Sequence, residues 1–227
     1  MNQEKLIRMG GVAAMAAGVV FVVIQPLHPP MTLAAVSTTA WAAVHYATLV
    51  MTVLFVVGIA GIYARQVEAT GWLGLVGFVL LSLGLLITAG FVVIEAFVEP
   101  LLVDGEPELV TDLLAIVSGS ERATDLGLLA LLWSVSSFLF PLGCLLFGAA
   151  VMRAGILSRW AAAVFAFGLP VAVAVVSLLP FDLHRWGAVP IGVGLAWLGL
   201  GLWAERGGWS NEPAGMGLGD PNMSAAG

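Results

Sequence analysis

The sequence predicts an all-α, polytopic membrane protein of six transmembrane helices. A short interfacial helix lies in the outer loop between spans three and four. Three observations carry this. Of the 227 residues, 60% are apolar and only 10% are charged, against about 25% charged in an ordinary soluble domain. Mean hydropathy is +1.05. Apolar runs long enough to cross a hydrocarbon core of about 30 Å recur along the chain, separated by short polar or proline-bearing breaks.

The expected spans run in order. The first is residues 6–24, stopped by Pro26 and the Pro29–Pro30 pair, because proline cannot continue a helix. The second, 41–64, follows Ser37, Thr38 and Thr39, which are cap candidates. The third is 72–98. The fourth, 126–152, follows Thr124, also a cap candidate. The fifth, 160–179, ends at Pro180, and the sixth is 186–203. Residues 1–206 make one transmembrane domain. The stretch 207–227, rich in Gly, Pro, Asn and Ser, reads as a disordered cytoplasmic tail.

Orientation follows from the cations. With the N-terminus inside, Lys5, Arg8, Arg65, Arg153, Arg159 and Arg206 are all cytoplasmic, and only Arg122 and Arg185 are outside. That bias places both termini in the cytoplasm. The setting is an integral membrane protein, read as one of the bacterial cytoplasmic membrane. A net charge of -6 argues against nucleic acid as a partner. The one cysteine, Cys144, excludes an internal disulfide. The 28 glycines serve packing within and between chains alike, so an oligomer is compatible with the sequence.

Chemistry is expected at the outer ends, where nine of the fourteen carboxylates and all three histidines fall. Glu95 and Glu99 are four apart at the end of span three and share a helix face with Thr88 and Phe91. A carboxylate at the edge of hydrocarbon is costly and marks a candidate functional site. Span two carries Thr38, Trp41, His45, Thr48 and Thr52 at alternating spacings of three and four, one face of a helix. Span four adds Trp133, Ser136, Ser137, Phe140 and Cys144. Asp182, His184, Arg185 and Trp186 mark the outer turn between spans five and six, and His28 follows span one. These stripes converge on one half of the bilayer, which describes a cavity for an amphiphile with a long hydrocarbon part. In the 101–124 loop, Leu109, Val110, Leu113, Leu114, Ile116 and Val117 recur at helical spacing, as for an interfacial helix that can cover such a cavity.

Several reaction classes lack their motifs. H-E-x-x-H and G-x-S-x-G are absent, no paired Asp-rich segments are present, and no lysine lies in any span. No cofactor or metal is expected. Acid–base work by carboxyl groups remains. Burial disfavours a charged carboxylate, so a carboxyl group in an apolar cleft can donate a proton. Tryptophan and phenylalanine faces stabilise a developing carbocation by about 0.5–2 kcal/mol per ring.

In acidic placement (Glu95 in VVIEAFVEP, Asp182 in LLPFDLHRW), helix count and length, the chain resembles the small membrane-bound terpene cyclases of meroterpenoid and prenylated-indole pathways. The resemblance implies proton-initiated cyclisation of a prenylated, lipid-like substrate near the outer face. Glu95 is then the general acid and Asp182 a second acid or final base, with His45 orienting a carboxyl group. Trp41, Phe91, Glu99, Trp133, Phe140, Trp186 and His28 are the expected substrate-binding residues. Two other readings stand beside it: a binding or transport protein for a hydrophobic small molecule, and an accessory membrane subunit.

Overall fold

The computed structural model describes residues 3–176 and 186–205. The described residues are mostly helical, with no strand among them. The helices are α1 (Gln3–Leu27), α2 (Leu33–Val36), α3 (Thr39–Val93), a π turn (Ile94–Val98), α4 (Glu99–Leu102), α5 (Pro107–Ser118), α6 (Leu128–Ala154), α7 (Arg159–Val176) and α8 (Val189–Ala204). Four helical stretches among these residues are long and apolar enough to cross a membrane: Glu4–Leu27, Thr39–Leu102, Leu128–Ala154 and Trp186–Ala204. Leu6, Val12, Val19, Val53, Leu86 and Phe138 are exposed on the outside of the bundle. Water would penalise that surface, whereas lipid accepts it.

Thr39–Leu102 is 64 residues long. Straight, it would reach about 96 Å, more than three times the hydrocarbon thickness. It is not straight. Gln66 (φ -136°, ψ 25°) and Gly71 (φ 57°, ψ -149°) leave helical geometry, and the chain folds back between them. Tyr63 stacks on Phe78 at 5.0 Å and Tyr46 on Phe97 at 5.2 Å, so the two arms run antiparallel. The reversal needs glycine at 71, because its backbone angles lie where a side chain is strained. The arms are helical over the ranges 41–64 and 72–98 where apolar helices were expected, apart from the π turn.

Helix ends depart from expectation in three places. α1 passes through Pro26 to Leu27 and yields only at Pro29–Pro30. A proline in the last turn forfeits one backbone bond without breaking the helix. The third expected span passes through the π turn and continues beyond Val98 into α4. Finally, α6 is capped by Gly127 rather than Thr124. The backbone N–H of Thr124 is instead held by Asp112 at 2.8 Å. Thr38 caps α3 as expected, accepting the Trp41 N–H at 3.2 Å.

The core is an apolar column of Phe55, Phe147, Phe165, Ile59, Leu81 and Leu195, all fully buried. Close approach depends on small residues, as is usual where lipid supplies no hydrophobic drive between helices. A Cβ on Gly77 would strike the Phe147 backbone, and one on Gly143 the Leu81 backbone. These contacts lock α6 against the returning arm of α3.

The 101–124 loop contains a helix, α5. Val110 and Leu114 bury against Ala35, Val36 and Trp41. It therefore covers the end of the bundle where α3 begins.

Candidate functional site: a buried histidine–carboxyl pair above an apolar cavity

The site begins with a backbone defect. Within the π turn the Glu99 N–H donates to the Ile94 carbonyl, five residues back. The next N–H in that pattern would serve the Glu95 carbonyl, but residue 100 is proline and has none. The indole N–H of Trp41 fills the gap, donating to the Glu95 main-chain oxygen at 2.7 Å. Trp41 is fully buried. One hydrogen bond thus ties the start of α3 to the end of its returning arm. π turns of this kind are rare and concentrate at functional sites.

The same two turns hold the titratable pair. His45 Nδ1 lies 2.7 Å from the Trp41 carbonyl. A carbonyl only accepts, so Nδ1 is the donor and carries a proton. Nε2 then faces Glu95 Oε2 at 3.5 Å. The second imidazole nitrogen and the carboxyl oxygen thus face each other as an acid–base pair. Both residues are buried, at 1% and 6% exposure. The His28 ring stands against the His45 ring at 5.1 Å and against Trp41 at 6.1 Å. Its Nδ1 is 2.7 Å from the Pro29 carbonyl. His28, His45, Trp41 and Glu95 are therefore one cluster, covered by α5 packing on Trp41.

Glu99 is buried at 1% exposure, and its Oε2 has no hydrogen-bond partner. The widened turn keeps it on the inward side together with Glu95.

One turn along α3 from His45, Thr48 opens onto a cavity of about 370 Å³, within the roughly 300–1,000 Å³ range of small-molecule sites. Its aromatic wall is Phe21, Trp133 and Phe140. Its hydroxyls come from Thr48, Thr52, Thr88, Ser136 and Ser137. The Thr88 and Ser136 hydroxyls bond each other at 2.6 Å, and both reach the Gly84 carbonyl. Thr48 and Thr52 donate to carbonyls four residues back. With those donors engaged, the wall is apolar in character.

The expected residues divide as follows. Glu95, His45, Trp41 and His28 come together around the pair. Trp133 and Phe140 line the cavity, and Phe91 joins them through its ring, 5.0 Å from Trp133. Trp186 is half exposed, while Ala188 and Ile191 supply the wall from that end. Asp182, His184 and Arg185 lie outside the described residues. Among the described residues no group of three or more His, Cys, Asp and Glu side chains could hold a metal ion. Sequence reasoning did not find the contribution of α1 through Phe21 and Ile24, which are ordinary residues in an apolar run. The π turn was also missed, although a proline five residues after Glu95 is a usable signal for it.

No family model, no curated protein and no solved structure matches the chain.

Proposed function

We propose that this chain is a six-span membrane enzyme, with both termini cytoplasmic, that performs proton-initiated cyclisation of a prenylated, lipid-like substrate. The observation that carries the reading is the buried His45–Glu95 pair, imidazole Nε2 facing carboxyl Oε2 at 3.5 Å, one helical turn from an aromatic-walled apolar cavity. Glu95 donates its proton to a substrate alkene, and His45 holds the carboxyl group in position. A new carbon–carbon bond forms as the cation moves along the chain, and a proton leaves to a base at the end. The product is an isomer of the substrate. Phe21, Trp133 and Phe140 face the cationic centres, and the dry wall delays quenching by water. α5 acts as the cover on the outer side.

The test uses a geranylgeranylated indole, with the cyclic isomer resolved by chromatography. Glu95→Gln keeps the shape and removes the acid. Turnover is expected to fall by about 10²–10⁴-fold, the usual contribution of a general acid. Unchanged turnover in Glu95→Gln rules the role out.

A second reading is favoured by one observation: the polar groups on the cavity wall are hydroxyls, and the carboxyl group stands above it. In that reading the protein binds or moves a hydrophobic small molecule, and the pair couples it to protons. It predicts uptake that depends on a pH gradient, is lost in Glu95→Gln, and yields no product.

A further inference from the structure

At the opposite end of the bundle from the His45–Glu95 pair, a groove of about 660 Å³ opens between the returning arm of α3, α6 and α7. Its floor is apolar, made by Leu73, Ala149, Met152 and Ala163, and Arg153 and Arg159 stand at its mouth with Trp160. Both arginines are exposed. The ion pairs among the described residues are His45–Glu95 and Arg65–Glu205, so neither arginine is neutralised by a carboxylate there. Arg159 and Trp160 open the first turn of α7, whose N-terminal end favours negative charge. Trp160 and Trp72 are 76% and 80% exposed, as tryptophans are where they sit at a membrane–water interface.

We propose that this groove is a binding site for one anionic phospholipid. Its phosphate sits between Arg153 and Arg159, and one acyl chain lies along Leu73, Ala149, Met152 and Ala163. The charge argument selects the headgroup: two guanidinium groups with no carboxylate partner among the described residues match a phosphate, each capable of two parallel hydrogen bonds. The apolar floor selects a lipid over a free anion, since an inorganic phosphate leaves it uncovered. Basic pockets between membrane helices hold acidic headgroups in this way. The site is independent of the catalytic reading, because it shares no residue with the pair or the cavity.

The experiment is native mass spectrometry of the full chain in detergent, titrated with phosphatidylglycerol or with phosphatidylcholine of the same acyl chains. The Arg153→Gln/Arg159→Gln double variant and Arg8→Gln are run beside the wild type. Arg8 is an exposed cation of α1 that does not line the groove. The expected result is one retained phosphatidylglycerol, bound at least tenfold more tightly than phosphatidylcholine. Affinity drops at least tenfold in the double variant and is unchanged in Arg8→Gln. Equal binding of the two lipids overturns the proposal, as does equal loss in Arg8→Gln. Displacement of the lipid by millimolar inorganic phosphate alone shows an anion site without a lipid contribution and overturns it as well. Circular dichroism melting of the double variant confirms that a loss of binding is not a loss of fold.

Discussion

The Trp41 indole N–H donates to the Glu95 main-chain carbonyl at 2.7 Å, the carbonyl that Pro100 leaves without a partner. Sequence separation there is 54 residues, so the bond closes the two arms of α3 and fixes the turn from which the Glu95 side chain projects. Trp41→Phe keeps the ring and deletes the donor. It leaves a buried carbonyl unsatisfied, which costs about 1–3 kcal/mol. In a Pro100→Ala background the backbone can close normally, and the Trp41→Phe penalty shrinks. A double-mutant cycle on thermal or denaturant stability reads that coupling; strictly additive effects contradict the assignment.

Gly71 and Gly90 form a matched pair of substitutions. An added Cβ meets nothing within 4 Å at either position, so only the backbone responds. Gly71 has φ 57° and ψ -149°, and Gly71→Ala is expected to destabilise by about 1–3 kcal/mol. Gly90 lies inside α3, where alanine is favoured by about 0.5–1 kcal/mol. Opposite shifts in melting midpoint are the expected outcome.

Glu99 sets stability against function. Its carboxyl group is buried with an unpartnered oxygen, a costly arrangement that activity can justify and folding does not. Glu99→Met, similar in size and apolar, is expected to raise the melting midpoint. If Glu99 serves the acid chemistry, turnover falls in the same variant. A lower midpoint would indicate a stabilising role for the carboxyl group.

Asp112 governs the loop that leads from α5 into α6. The Thr124 hydroxyl first, then the Ala123 N–H, with smaller help from the Thr124 N–H and the Arg122 charge, hold its carboxyl below the ordinary carboxylate value. Oδ1 accepts from Ala123 at 2.9 Å and Oδ2 from Thr124 at 2.8 Å. A lowered folded-state pKa means stability that is fully present above the unfolded value of about 3.9 and is lost as pH falls through the folded one. Protection of the Ala123 and Thr124 amides from hydrogen exchange should therefore hold at neutral pH and fail in strong acid. In Asp112→Asn it should be weakened at neutral pH already.

Much of the architecture was legible in the sequence because hydropathy and proline placement are local signals. Helices stand where apolar runs were expected at 6–24, 41–64, 72–98 and 126–152, as α1, the two arms of α3 and α6, to within a few residues. The inward stripe Trp41–His45–Thr48–Thr52 and the stripe through Trp133, Ser136 and Phe140 also stand where helical spacing put them. What stayed hidden depends on tertiary contact. No periodicity announces that Trp41 would serve a carbonyl on another arm, or that Phe21 of α1 would close the cavity. The π turn arises from Pro100 acting on a helix that packing forces to continue, which local propensity alone does not foresee. The residues around Asp182 lie outside the described structure, so its assigned role rests on the resemblance alone.

The most direct measurement is cyclisation of the geranylgeranylated indole in heavy water, with the product weighed by mass spectrometry. Protonation by Glu95 draws on a solvent-exchangeable proton, so the cyclic isomer should carry one deuterium and be heavier by one mass unit. The label should vanish together with the product in Glu95→Gln. A substrate recovered unlabelled and uncyclised, while still bound by the protein, would contradict the enzymatic account and leave the binding reading in its place.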